Sequence, residues 1–144
     1  MSRSFRHILE LSLLALLTIS AAAAQSLIGD IQAEHDPVRR SDLALNLAGS
    51  AFDNARSLYT QGDIQKGDAQ LEQMTNALNE CVVSLQTAHK SRFYKKAEQR
   101  VAFLQRRMSG LLEDLSVQQR GWAEYTNRKL DEIHDKLLEG VMRK

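Results

Sequence analysis

Asp131 and His134 stand three residues apart, a spacing that sets a carboxylate and an imidazole on one helix face as two ligands of a metal. Bundle metal sites draw further ligands from a second helix, and the nearest other histidines, His35 and His89, lie far away in the chain. The pair therefore reads as a solvated Asp–His pair. There is no glycine-rich phosphate loop, no GxSxG elbow, no CxxC and no HExxH. No catalytic residue, metal or cofactor is expected, and the chain reads as a non-enzyme. Cys81 is the single cysteine. A small buried thiol on a helix seam is one state open to it; an intermolecular disulfide is the other, if the protein is exported.

Two further groups of side chains suit docking. From Lys90 to Arg107 the chain carries Lys90, Arg92, Lys95, Lys96, Arg100, Arg106 and Arg107 against Glu98 alone. With Tyr94, Val101 and Met108 turned inward, Arg92, Lys95, Lys96 and Arg106 fall on the outward face of a helix, and Arg100 and Arg107 flank its seam. Such a face suits an anionic surface, whether lipid, acidic polymer or acidic protein. A solvated face balanced by Asp63, Asp68, Glu72 and Glu80 accounts for it as well. Trp122 and Tyr125 are the bulky aromatic pair near the C-terminus; they serve either as interface anchors or to close the bundle.

The elements that position these residues follow from apolar spacing. Leu47, Ala48, Ala51, Phe52, Ala55, Leu58 and Tyr59 recur at helical intervals, and Leu71, Met74, Leu78, Cys81, Leu85 and Ala88 alternate three and four apart. Between them, Gly62 suits a left-handed C′ position and Asp63 an N-cap. At His89–Arg92 the stripe loses register, and a new one begins with Tyr94, Ala97, Val101, Leu104, Met108, Leu111 and Leu115. It fades at Gln118 and resumes as Trp122, Tyr125 or Thr126, Leu130, Ile133, Leu137 and Val141, with Gly121 at the slip, where a bend or break would fall. Helices are thus expected over about 41–61, 64–88, 91–119 and 121–140, with Ser41 as the first N-cap and residues 25–40 flexible. The fold class is all-α: an antiparallel helical hairpin packed on a long third helix with a C-terminal helical extension. Because the first two helices are short, two arrangements are open: with a bend at Gly121 the stripe of Leu130, Ile133 and Leu137 packs inside one chain, and without one, the favoured arrangement, it projects and is covered by a partner or a second copy.

Residues 51–78 resemble a single tetratricopeptide-like helical hairpin, with Ala55 and Gly67 where that family packs helices closely, then Tyr59, Gly62, Asp63 and Leu71. The second helix outruns the family's length, no closing proline follows, and no second copy is found. Arrays of this kind need three or more repeats, so the resemblance implies a hairpin and not a solenoid.

The N-terminus bounds the compartment. Arg3 and Arg6 precede the apolar run Leu11–Ile19, and Ala22 and Ala24 supply small residues before Gln25, the three parts of a secretory signal over residues 1–24. No cysteine follows the cut to carry a lipid. Uncleaved, the run would anchor the chain in a membrane. Beyond residue 24 the chain holds 17 basic and 17 acidic side chains, a balance that argues against nucleic acid as a partner. Length, leader and hairpin resemble small exported bacterial helical proteins. The expected function is a non-catalytic periplasmic or secreted interaction or scaffold module, binding a protein partner or a second copy through the basic face (Lys90, Arg92, Lys95, Lys96, Arg106) and the C-terminal stripe (Trp122, Tyr125, Leu130, Ile133, Leu137). The alternative is a periplasmic stress chaperone or metal-buffering bundle. Mass spectrometry of the protein from its native host should find a chain starting at or near Gln25; an intact Met1 or Ser2 start would replace the soluble reading with an anchored one.

Overall fold

The computed structural model describes residues 27–143, and the leader expected over residues 1–24 lies outside them. Five helices and no strand are found among the described residues: α1, of which residues 27–32 are described, then α2 (Pro37–Thr60), α3 (Ile64–Ala88), α4 (Ser91–Asp114) and α5 (Arg120–Met142). The all-α expectation holds. No described helix is long and apolar enough to cross a membrane.

The first helix of the main bundle starts earlier than Ser41. Asp36 is its N-cap, accepting from the Val38 N–H at 3.0 Å, and Pro37 occupies the first helical position, where its missing N–H costs nothing. Ser41 lies inside α2, buried, with its hydroxyl donating to the Val38 carbonyl at 2.7 Å. The segment expected to be flexible is therefore helical in part. Ile31 is buried, and the Gln32 amide donates to Glu80 on α3 at 3.1 Å, which holds α1 against the bundle.

The α2–α3 turn follows its sequence chemistry. Gly62 has φ 81°, its N–H reaches the Tyr59 carbonyl, and the Asp63 N–H reaches Leu58, the paired bonds of a Schellman ending. Asp63 then accepts from the Lys66 N–H at 3.3 Å and starts α3. The close approach in this hairpin is made by Tyr59: a Cβ at Gly67 would sit 3.1 Å from its ring, while Asp68 takes the Tyr59 hydroxyl. Ala55 is fully buried in the same hairpin.

Beyond α3 the chain turns twice without using glycine. His89 adopts φ 50°, a left-handed conformation costing about 1 kcal/mol for a residue with a Cβ. After α4 the chain breaks at Leu115, not at Gly121. Leu115 is extended and buried, the Gln119 side chain accepts from both the Ser116 N–H and hydroxyl at 3.1 Å, and Arg120 Nε donates to the Leu115 carbonyl at 3.0 Å. Gly121 lies exposed in the first turn of α5, with open space where a side chain would be. The break reverses the chain, so α5 returns along α4 and the projecting arrangement is not found.

Two antiparallel hairpins result, α2–α3 and α4–α5, stacked on each other. Lys96–Asp42, Arg100–Asn46 and Arg107–Asp53 are each 54 residues apart, a constant offset that only parallel helices in register produce, so α4 runs alongside α2 in the same direction. Gln105–Asp131 and Glu98–His134, by contrast, climb α4 while descending α5. The core between the layers holds Phe52, Leu71, Met74, Leu78, Leu85, Val101, Met108, Leu130 and Leu137, all fully buried.

Gly140 locks the second hairpin. A Cβ there would collide with the ring of Tyr94, so α4 and α5 approach as closely as they do only because this position is bare. Gly140→Ala should cost about 1–3 kcal/mol in urea unfolding through overpacking. In a Tyr94→Ala background the same change should be neutral, or stabilising by up to about 1 kcal/mol, because alanine is the better helix former. A Gly140→Ala variant as stable as the parent would overturn the contact.

Candidate functional site

The C-terminal stripe divides into two parts. Its seam is Ala123, Thr126, Leu130, Ile133, Leu137 and Gly140, all buried against α3 and α4. Leu130, Ile133 and Leu137 are therefore core residues and correct the expectation that they dock a partner: the reversal at 115–119 lets one chain cover them. Small Ala123 and hydroxyl-bearing Thr126 take the inward places near the start of α5, which rotates Trp122 and Tyr125 to the edge. They remain 38% and 41% exposed.

These two aromatics stand in a half-open groove between α3 and α5 with a volume of about 320 Å³. Their rings lie 5.1 Å apart and tilted by 40°. Glu72, Thr75 and Asn79 form the α3 wall, and Lys129 and Lys136 stand along α5. Lys129 Nζ lies 5.7 Å from the centre of the Tyr125 ring and pairs with Glu132 at 2.9 Å. That hydrogen bond raises the Lys129 pKa and lowers that of Glu132, so both stay charged across the ordinary range. The groove thus offers an aromatic floor with a polar rim of both signs. Its α3 wall carried no signal in the sequence, because the α3–α5 pairing depends on the chain reversing.

The basic run is sorted by its neighbour α2. Lys96 pairs with Asp42 at 2.7 Å, Arg100 reaches Asn46 at 3.5 Å, and Arg107 pairs with Asp53 at 2.6 Å. Arg107 also lies 4.6 Å over the buried Phe52 ring and 5.6 Å from Phe103, so its guanidinium closes the core there. These partners replace the expected balance from α3, whose acids are engaged elsewhere: Asp63 with Lys66, Asp68 with Tyr59, Glu80 with Arg40 and Gln32. Arg106 stays exposed, 5.8 Å from the Phe103 ring. Lys90, Arg92 and Lys95 also remain exposed, with Arg92 stacked 4.6 Å over Phe93.

Asp131 and His134 do not act together. Asp131 accepts from Gln105 at 2.7 Å, and His134 meets Glu98 at 2.8 Å, so each bridges α5 to α4 separately. Among the described residues no three histidine, cysteine or acidic side chains converge. Cys81 is 1% exposed on the α3 seam, out of reach of a second chain. No family model, no curated protein and no solved structure matches the chain.

Burial pushes the Cys81 thiol from its ordinary 9.0 up to about 12, with Asp42 and Glu80 adding to the effect. Burial likewise raises the Tyr59 phenol, reinforced by Asp68. In both cases the unfolded chain loses its proton first, so stability is unaffected below about pH 9 and falls as pH rises above it. Cys81 contributes at most about 1.4 kcal/mol per pH unit to that fall. Urea unfolding between pH 9 and 11 should show a shallower decline for Cys81→Ala than for the parent, with Tyr59 and Tyr94, whose phenol burial also raises, contributing to what remains. Equal slopes would place the thiol in water.

Proposed function

We propose that the chain is a non-catalytic interaction module working outside the cytoplasm, and that it takes a protein partner in the groove between α3 and α5. The observation that carries this reading is the exposure of Trp122 and Tyr125 over that groove while Leu130, Ile133 and Leu137 of the same stripe are buried. Tryptophan and tyrosine dominate binding energy at protein interfaces, because each covers a large apolar area at little conformational cost and keeps a polar edge for hydrogen bonding. Glu72, Glu132, Lys129 and Lys136 around the groove would form the polar rim that sets orientation. Export rests on Arg3, Arg6, the Leu11–Ile19 run and Ala22 and Ala24 before Gln25.

Trp122 is the single tryptophan, so its emission reports on the groove directly. Crosslinking in extract of the native host, followed by identification and purification of the attached protein, supplies the titrant. Binding should shift Trp122 emission to the blue as the ring loses water. Trp122→Ala and Tyr125→Ala should each weaken binding, followed by calorimetry, by about 2 kcal/mol or more, roughly 30-fold, without loss of helicity. A partner that binds the Trp122→Ala chain as tightly as the parent docks elsewhere and sinks this reading.

A further inference from the structure

The end of the bundle opposite Trp122 carries a second surface. Helix α5 runs from Arg120 to Met142, so that end lies roughly 30 Å from the aromatic pair. Here the α3–α4 turn, the first turn of α4 and the last turn of α5 meet. The carboxylates of this end are largely engaged: Asp36 caps α2, Glu34 takes Arg39, Asp42 takes Lys96, Glu80 takes Arg40 and Glu139 takes Arg143. Lys90, Arg92 and Lys95 remain exposed, and none of them forms an ion pair among the described residues, Asp30 and Asp135 included. Stability does not explain them. Cations in the first turn oppose the positive end of the helix dipole, and Lys90 at the N-cap position makes no capping hydrogen bond.

Apolar surface accompanies the charge. Phe93 is half-buried beneath Arg92, and Met142 is 66% exposed two residues past Gly140, the position that abuts Tyr94. The chain also enters on this half of the bundle, since Gln32 of α1 bonds to Glu80, eight residues before the end of α3. Unpaired cations flanked by the half-buried Phe93 and the exposed Met142 fit an anionic lipid surface, which takes charge and apolar side chains together, better than a protein partner.

We infer that Lys90, Arg92 and Lys95 rest this end of the bundle on an anionic phospholipid surface. This goes beyond the groove, which lies along the side of the bundle between α3 and α5 and stays free for its own ligand. Every contact described above lies within residues 27–143, so the polypeptide from Gln25 onward is the form to test, with its folding checked by circular dichroism. It should sediment with phosphatidylglycerol–phosphatidylcholine vesicles at low salt and not with phosphatidylcholine alone. The combined Lys90→Gln, Arg92→Gln and Lys95→Gln variant should lose binding on the order of 100-fold, while its melting temperature stays level or rises because the dipole repulsion is relieved. Arg56→Gln, Arg106→Gln and Arg128→Gln together remove the same charge toward the other end and should bind vesicles like the parent, as should Trp122→Ala. The inference fails if the parent does not bind anionic vesicles, if phosphatidylcholine alone suffices, or if both triple variants bind equally. Capture of polyglutamate without vesicle binding would reassign the patch to an acidic protein. Loss of partner binding in Trp122→Ala with vesicle binding intact separates the two surfaces.

Discussion

Covering Leu130, Ile133 and Leu137 is the constraint on which the arrangement depends. Each contributes about 1.5–3 kcal/mol when buried, against a net stability of only about 5–15 kcal/mol for a domain of this kind. The single cysteine cannot make an internal disulfide to compensate. The chain must therefore reverse after α4, and the polar residues between Leu115 and Arg120 make that reversal by bonding their own backbone. Once α5 lies along α4, the remaining faces of the second hairpin are determined. Its apolar side meets α2 and α3, the cations on its α2 side meet Asp42 and Asp53, and Trp122 and Tyr125 are left at the margin.

The same stacking separates the cations of α4 into two kinds. Lys96, Arg100 and Arg107 are held by side chains of α2 and serve the packing of one hairpin on the other. Exposed pairs of this sort are worth about 0–1 kcal/mol each, but Arg107 also covers Phe52, and its loss would uncover core. Lys90, Arg92 and Lys95 meet none of these acids and stay exposed. The aromatic pair and the basic patch thus lie toward opposite ends of one bundle, with the groove running along the α3–α5 side between them.

What the sequence made legible was local. Gly62 and Asp63 announce the first turn because a left-handed residue followed by an N-cap is complete within a few positions. The stripe on α3 is equally plain, since its three–four alternation is a property of one helix. The start of α2 at Asp36-Pro37 was not legible, because the pair suits a turn as well as it suits an N-cap and first helical position. The break after α4 was placed at Gly121 because glycine is the familiar breaker, whereas Ser116 and Gln119 act through side-chain bonds that have no distinctive spacing. His89 in the left-handed region leaves no mark at all. For the candidate site, the aromatic pair and the basic run were visible as residue types. Which acids neutralise Lys96 and Arg107, and which helix faces Trp122, depend on the stacking of the hairpins, a tertiary property.

Helices α3 and α4 are joined through His89 and Lys90 yet touch each other least of all the neighbouring pairs, while each hairpin packs chiefly within itself. In folding terms the molecule consists of two cooperative units whose internal contacts are short-range in sequence, the topology associated with fast assembly. Their shared boundary is the α2–α4 and α3–α5 stacking. Opening there would leave each hairpin's own pairing in place, so damage at the boundary loosens a half of the molecule and not a single helix. Both the aromatic groove and the Arg107 contacts lie on that boundary, which ties the exposure of one to the integrity of the other.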